Sequence, residues 1–216
     1  MKFSKSVVAI AIVALLIGAG MFVAFRSSAQ TSCSTATYKP TIIAFGDSLV
    51  AGYGAPEGSG FVEKLSEKIG IPVTNYGRNG DTSAQGLARA RALSDRPDIV
   101  IILLGGNDAL QKVSVTETKA NLSALIELFQ SYQSKRIHVV LVGVMGGFPS
   151  DPYASMFKEL AKEHGVTYVP NALAGLFGNQ DLMSDQVHPN AVGYEKLAER
   201  LVPVLNNECK AVASER

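Results

Sequence analysis

Charge of one sign is what this chain most conspicuously lacks. Lys and Arg number 20 against 19 Asp and Glu, a formal net charge of +1. Nucleic-acid binding needs a basic excess, and disorder needs high charge with few apolar residues. At 47% hydrophobic and 18% charged, the chain has neither. No nucleic acid or other charged macromolecule is expected as a partner. There are only two cysteines, Cys33 and Cys209, and neither has a His or a second Cys at ligand spacing. No metal and no cofactor is therefore expected. No internal repeat is visible, and 216 residues suffice for one domain with a sizeable core but are short for two.

A long apolar run occurs once, from Val7 to Phe25, behind the basic start "MKFSK". It exceeds the roughly 7 to 15 residues of a signal-peptide core and approaches the about 20 of a membrane span. Ser27-Ser28-Ala29 offers a small-residue cleavage site, so residues 1–29 read as either a cleaved signal peptide or a signal anchor. Lys2 and Lys5 against the lone Arg26 would hold the N-terminus inside and place the body outside the cytoplasm. Membrane contact, if any, is expected through residues 7–25. No lipobox-like Cys follows the run. Without the three basic residues of the first 29, the body carries 17 basic against 19 acidic residues, about −2. In an exported chain, Cys33 and Cys209 are candidates for one disulfide joining the two ends.

Residues 30–40, "QTSCSTATYKP", read as a linker, 41–206 as the domain and 207–216 as a C-terminal tail. Within the domain, strand-like runs at 41–46, 72–76, 98–104, 137–144 and 166–170 alternate with helical patterns at 61–69, 82–93, 115–133, 153–164 and 190–205. Ser114-x-x-Glu117 opens the third helix as a capping box. Pro189 opens the last helix, and Pro203 is expected to kink or end it. "DIVIILLGGND" is apolar throughout rather than alternating, so both sheet faces should be covered. These patterns predict a three-layer α/β/α domain on about five mainly parallel strands.

In such sheets ligand sites gather at the carboxyl ends of the strands. Polar residues collect there: Gly46-Asp47-Ser48, "NYGRNGDTS" at 75–83, "GGND" at 105–108, and "SDQVHPN" before the last helix. A serine nucleophile needs a base to take its proton, and His188 is the candidate. Asp185 can hold the other ring nitrogen and fix the tautomer. A tetrahedral oxyanion needs donors, and the Ser48 and Gly80 N–H groups and the Asn107 amide are candidates. Asp47 reads as structural, since a carboxylate beside the nucleophile opposes developing negative charge. Asp108 reads as turn former or support, and His138 and His164 as structural. Asn121-Leu122-Ser123 matches a glycosylation sequon but sits mid-helix. The elbow Gly-x-Ser-x-Gly is absent around Ser48, which argues against the α/β-hydrolase fold.

The blocks "FGDSLVAGYG", "GRNGDTSAQG", "GGND" and Asp185-x-x-His188-Pro189, in this order, resemble the SGNH hydrolases, also called GDSL esterases and lipases. The resemblance covers roughly residues 41–205. It implies a flavodoxin-like fold, a Ser48 nucleophile with Asp185 and His188, and an oxyanion hole of Ser48, Gly80 and Asn107. The wording is closest to the bacterial branch of thioesterases, lysophospholipases and arylesterases. That implies a monomeric hydrolase of small-molecule acyl esters or thioesters. Carbohydrate O-acetyl esterase is the alternative, and a catalytically silent binding protein of the same fold is the non-enzyme one. By the same resemblance, the loop after the fourth strand flanks the acyl group. Here it is short and apolar, with Met145 and Phe148 as candidate substrate contacts.

Overall fold

Residues 33–132, 136–144 and 152–216 are described by the computed structural model, all within the unit Ser32–Arg216. The expected export element, the linker up to residue 32, and Met145 and Phe148 lie outside the described residues.

The strands are β1 (Ile42–Gly46), β2 (Val73–Gly77), β3 (Ile99–Leu103), β4 (His138–Val142) and β5 (Thr167–Val169). They form one sheet in the order β2-β1-β3-β4-β5, every pairing parallel. Its heart is β1 and β3, "IIAFG" and "IVIIL", buried at every position. Side chains on both faces of such strands must be covered, and each fully buried Ile or Leu contributes roughly 1.5–3 kcal/mol. The cover comes from α1 (Ser48–Ala51), α2 (Phe61–Ile69), α3 (Ser83–Ala90), α4 (Gly106–Leu110), α5 (Val115–Gln130), α6 (Pro152–His164) and α7 (Ala191–Ser214). α2 packs on α7, while α3 packs on α5 and α5 on α6. With right-handed crossovers, the reversal of strand order at β1 puts these two groups on opposite faces. The result is the three-layer α/β/α sandwich that the sequence implies.

Several helices start where side chains satisfy their first amides. Thr82 and Gln85 form a reciprocal capping box on α3, Ser114 Oγ accepts from Glu117 N (3.1 Å) on α5, and Asn190 caps α7. The last helix departs from expectation. Pro203 lies inside it without ending it, and residues 207–214 are helix rather than tail. A proline here removes the N–H that would reach the Glu199 carbonyl and crowds that carbonyl, a local cost that burial of the residues beyond it offsets. Beyond it Leu205, Cys209 and Val212 are buried, and Cys209 is bonded to Cys33 (S–S 2.06 Å). The described part of residues 30–40 is likewise built in: Cys33 is fully buried in a 3-10 turn, and Tyr38 donates to Asp98.

Because all five strands point one way, their carboxyl ends share one edge. The strand order reverses between β1 and β3, and ligand crevices form at such a reversal.

Candidate active site

The chain leaving β1 turns at once into α1, because Asp47 accepts from Leu49 N (3.0 Å) and caps a single helical turn. That turn leaves Ser48 at its start, mostly buried. Ser48 Oγ lies 3.0 Å from His188 Nε2, and His188 Nδ1 lies 2.7 Å from Asp185 Oδ2. The second Asp185 oxygen accepts from Val187 N and His188 N, both at 2.8 Å. The Val187 N–H, helped by His188, holds the Asp185 carboxyl below its ordinary value despite some desolvation. An ionised Asp185 accepts a hydrogen bond from the Nδ1–H, which keeps the proton on Nδ1, so Nε2 is left to accept from the Ser48 hydroxyl.

One face of the His188 ring is covered by Tyr53, with ring centroids 4.6 Å apart and a tilt of 56°. Tyr53 is held through its backbone: its N–H donates to Ser48 O (3.0 Å), and Tyr194 Oη donates to its carbonyl (2.7 Å). Burial, with the Asp47 and Asp185 charges, pushes the Tyr194 phenol far up, so it remains an O–H donor. Gly54, at φ +92°, lets this loop close on the histidine. A Cβ there would meet Ser184 Oγ at 2.1 Å and Pro189 O at 2.9 Å.

The other strand exits meet nearby. Gly80 adopts φ +82°, a conformation costly for any side chain, and space above it is open. Asn107 sits in α4 and donates one amide N–H to Asp81 O (3.0 Å), keeping a second N–H for a ligand. Asp108 is fully buried, accepting from Ser83 N (2.7 Å), from the Ser83 hydroxyl and from Thr118 Oγ1 (3.2 Å). It thus ties α3 to α5 as support. Asp47, also buried, has its carboxyl pushed up to about 7, by burial first and by the charges of Asp81 and Asp108.

Ser48, His188 and Asp185 are therefore brought into one hydrogen-bonded chain, and Asn107 is joined to the residue that follows Gly80. His138, bound to Glu208 and Glu215, and His164, bound to Ser123, are far from this chain in their partners. Asn121 of the sequon donates to Ser83 Oγ (3.1 Å) within the α3–α5 contact. Sequence reasoning missed Tyr53, Tyr194 and Arg89. The available signals were an aromatic residue between two glycines, a tyrosine on the buried stripe of α7, and an arginine in the last turn of a short helix. Among the described residues no cluster of His, Cys, Asp or Glu has the arrangement of a metal site.

Residues 44–196 match the GDSL-like lipase/acylhydrolase family model. The chain belongs to this family, the SGNH hydrolases, and is a serine-type carboxylic ester hydrolase. It is similar to esterase TesA of Pseudomonas aeruginosa, 30% identical over 178 residues, covering 76% of this chain and 87% of that one. It is 28% identical over 179 residues to thioesterase 1/protease 1/lysophospholipase L1 of Escherichia coli K12, covering 78% and 86%. A crystal structure of TesA superposes with a TM-score of 0.71 at 29% identity, covering 78% of this chain and 99% of that one.

Proposed function

We propose that this hydrolase cleaves small acyl esters or thioesters through an acyl-enzyme on Ser48. The hydrogen-bonded chain from Ser48 through His188 to Asp185, at 3.0 and 2.7 Å, carries this reading. Ser48 Oγ attacks the acyl carbonyl while Nε2 takes its proton, and the imidazolium is stabilised by Asp185. The carbonyl oxygen becomes an oxyanion bound by the N–H groups of Ser48 and Gly80 and by the Asn107 amide. Collapse expels the alcohol or thiol with the proton from Nε2. Water then attacks the acyl-enzyme with His188 again as base, releasing the acid. All these groups come from one chain, so the reading needs no second copy. Esterase, thioesterase and lysophospholipase appear in the relatives' names and support the substrate class. We also read residues 1–29 as an export element, from the basic start and apolar run; the Cys33–Cys209 bond suits an oxidising compartment.

The test compares wild type with Ser48→Ala on p-nitrophenyl esters from acetyl to palmitoyl, with lysophospholipid and acetylated sugar alongside. Wild type should hydrolyse the esters and be labelled by a fluorophosphonate. The variant should lose label and at least about 10³-fold in kcat. A labelled, active Ser48→Ala sinks the assignment. Preference for acetylated sugar over every acyl ester turns the substrate class to O-deacetylation.

A further inference from the structure

The loop that carries Gly80 has little to hold it in place. The β1–β2 ladder ends at Gly77, and α3 begins only at Ser83. Between them the backbone makes three backbone–backbone bonds outside the ladder, Arg78 N to Gly46 O (3.0 Å), Asp81 N to Arg78 O (3.2 Å) and Gly86 N to Thr82 O (2.9 Å), and none of them involves Gly80 itself. Yet an oxyanion donor must be fixed to within a fraction of an ångström to work before the charge forms.

One guanidinium meets this need. Arg89 leaves the last turn of α3 and lies over the Phe45 ring, 4.1 Å from its centroid. Its Nη2 donates to Gly46 O (3.0 Å), two residues before Ser48. Its Nη1 donates to Tyr76 O (2.9 Å), at the exit of β2. Its Nε donates to Asp81 Oδ2 (2.9 Å), and Nη2 pairs with the same oxygen. Asp81 is buried, directly follows Gly80, and its carbonyl accepts the Asn107 amide. A single planar side chain therefore binds the strand end before Ser48, the loop of Gly80 and, through Asp81, the amide of Asn107. These are the three segments that supply the proposed oxyanion donors.

We propose that Arg89 is a positioning residue that sets the oxyanion hole in register. It touches no reacting atom and acts by fixing the donors relative to one another. The inference rests on the serine-hydrolase reading above. Lysine is no substitute: one ammonium places its donors on a single atom and cannot reach three acceptors set around a fork. It can still pair with the buried Asp81 carboxylate, so the variant keeps that charge compensated and the fold intact.

The test is Arg89→Lys on p-nitrophenyl acetate and butyrate, beside wild type and Ser48→Ala. The expected result is a fall of about 10- to 100-fold in kcat with KM within about twofold, since aligned donors matter most once charge has formed. An arylboronic acid, whose tetrahedral serine adduct mimics the oxyanion, should lose affinity by about the factor lost in kcat/KM. A purely structural role would lower the melting temperature while leaving kcat and boronate affinity, measured well below it, unchanged. That outcome overturns the proposal, as does a loss confined to KM. If Arg89→Lys fails to fold, Asp81→Asn decides in the same assays; it keeps the buried shape and weakens the anchor of Nε, and it should show a smaller loss of the same kind. Wild-type kcat in it sinks the idea. An active Ser48→Ala would instead condemn the underlying site, whatever the arginine variants do.

Discussion

Three aspartates are buried beneath the strand exits that form the site, and each is satisfied differently. Asp81 faces Arg89, Asp108 accepts from two hydroxyls and an amide, and Asp47 has the Leu49 N–H as its side-chain partner. Burial, with the charges of Asp81 and Asp108, raises Asp47 from 3.8 to about 7. A carboxyl raised on folding contributes its stability below the unfolded value and loses it as pH climbs through the folded one. Ionising Asp47 in place thus costs on the order of 4 kcal/mol once the pH is above 7. Asp47→Asn keeps an oxygen for Leu49 N and removes the titration. The melting temperature of wild type should fall between pH 5 and pH 8 more steeply than that of the variant. Parallel slopes would refute the argument. The residue's structural character was legible in the sequence, because a negative charge next to a serine nucleophile works against the chemistry; its proton affinity was not, because that depends on which carboxylates the fold gathers around it.

At the scale of elements, Asp108 joins the start of α3 to α5 by accepting the Ser83 N–H and hydroxyl and the Thr118 hydroxyl. Asp108→Asn would put an NH₂ against a donor at one of these contacts, leaving a buried group unpaired at about 1–3 kcal/mol. A chain of this size loses roughly 2–4 °C per kcal/mol, so calorimetry should register a drop of several degrees. Because α3 also carries Arg89, kcat should fall with it at constant KM. An unchanged melting temperature would show that the contacts are dispensable. The five strands and five longer helices were legible from apolar runs, helical stripes and caps, and their ends shifted by only a few residues except at the last helix, which runs through Pro203 to Ser214 instead of stopping near 205. The short α1 and α4 were not, since one turn displays no periodicity and forms only because Asp47 caps it or Gly105 (φ +116°) precedes it. The ordered blocks made Ser48, His188 and Asp185 legible as a set, whereas Tyr53 and Arg89 act through ring and backbone contacts that exist only once separate segments meet.

At the scale of the molecule, α7 links two poles. It starts just after His188 and runs antiparallel to the logic of the strands toward the opposite edge, Cys209 lying about 27 Å along it at 1.5 Å per residue. That far edge is fastened by polar and covalent contacts. Arg216 pairs with buried Asp98, which also holds Tyr38 and Thr41. His138 bridges Glu208 and Glu215, and chiefly the Glu208 contact raises its proton affinity, so this fastening weakens as pH rises above the ordinary histidine value of 6.5. The Cys33–Cys209 bond closes a loop with a sequence separation of 176. In the chain-entropy model such a closure restricts the unfolded state by about 5 kcal/mol. Its distance from Ser48 means that removing it should cost stability and spare chemistry. The Cys33→Ser, Cys209→Ser double variant should melt roughly 10 °C or more below wild type, at 2–4 °C per kcal/mol. At 25 °C its kcat and KM should match wild type within about twofold, because no group of the site depends on that edge. Two free thiols in unreduced, denatured wild type would show that the bond does not form in solution. A double variant that keeps its melting temperature but loses activity would show instead that the far edge is coupled to the site along α7.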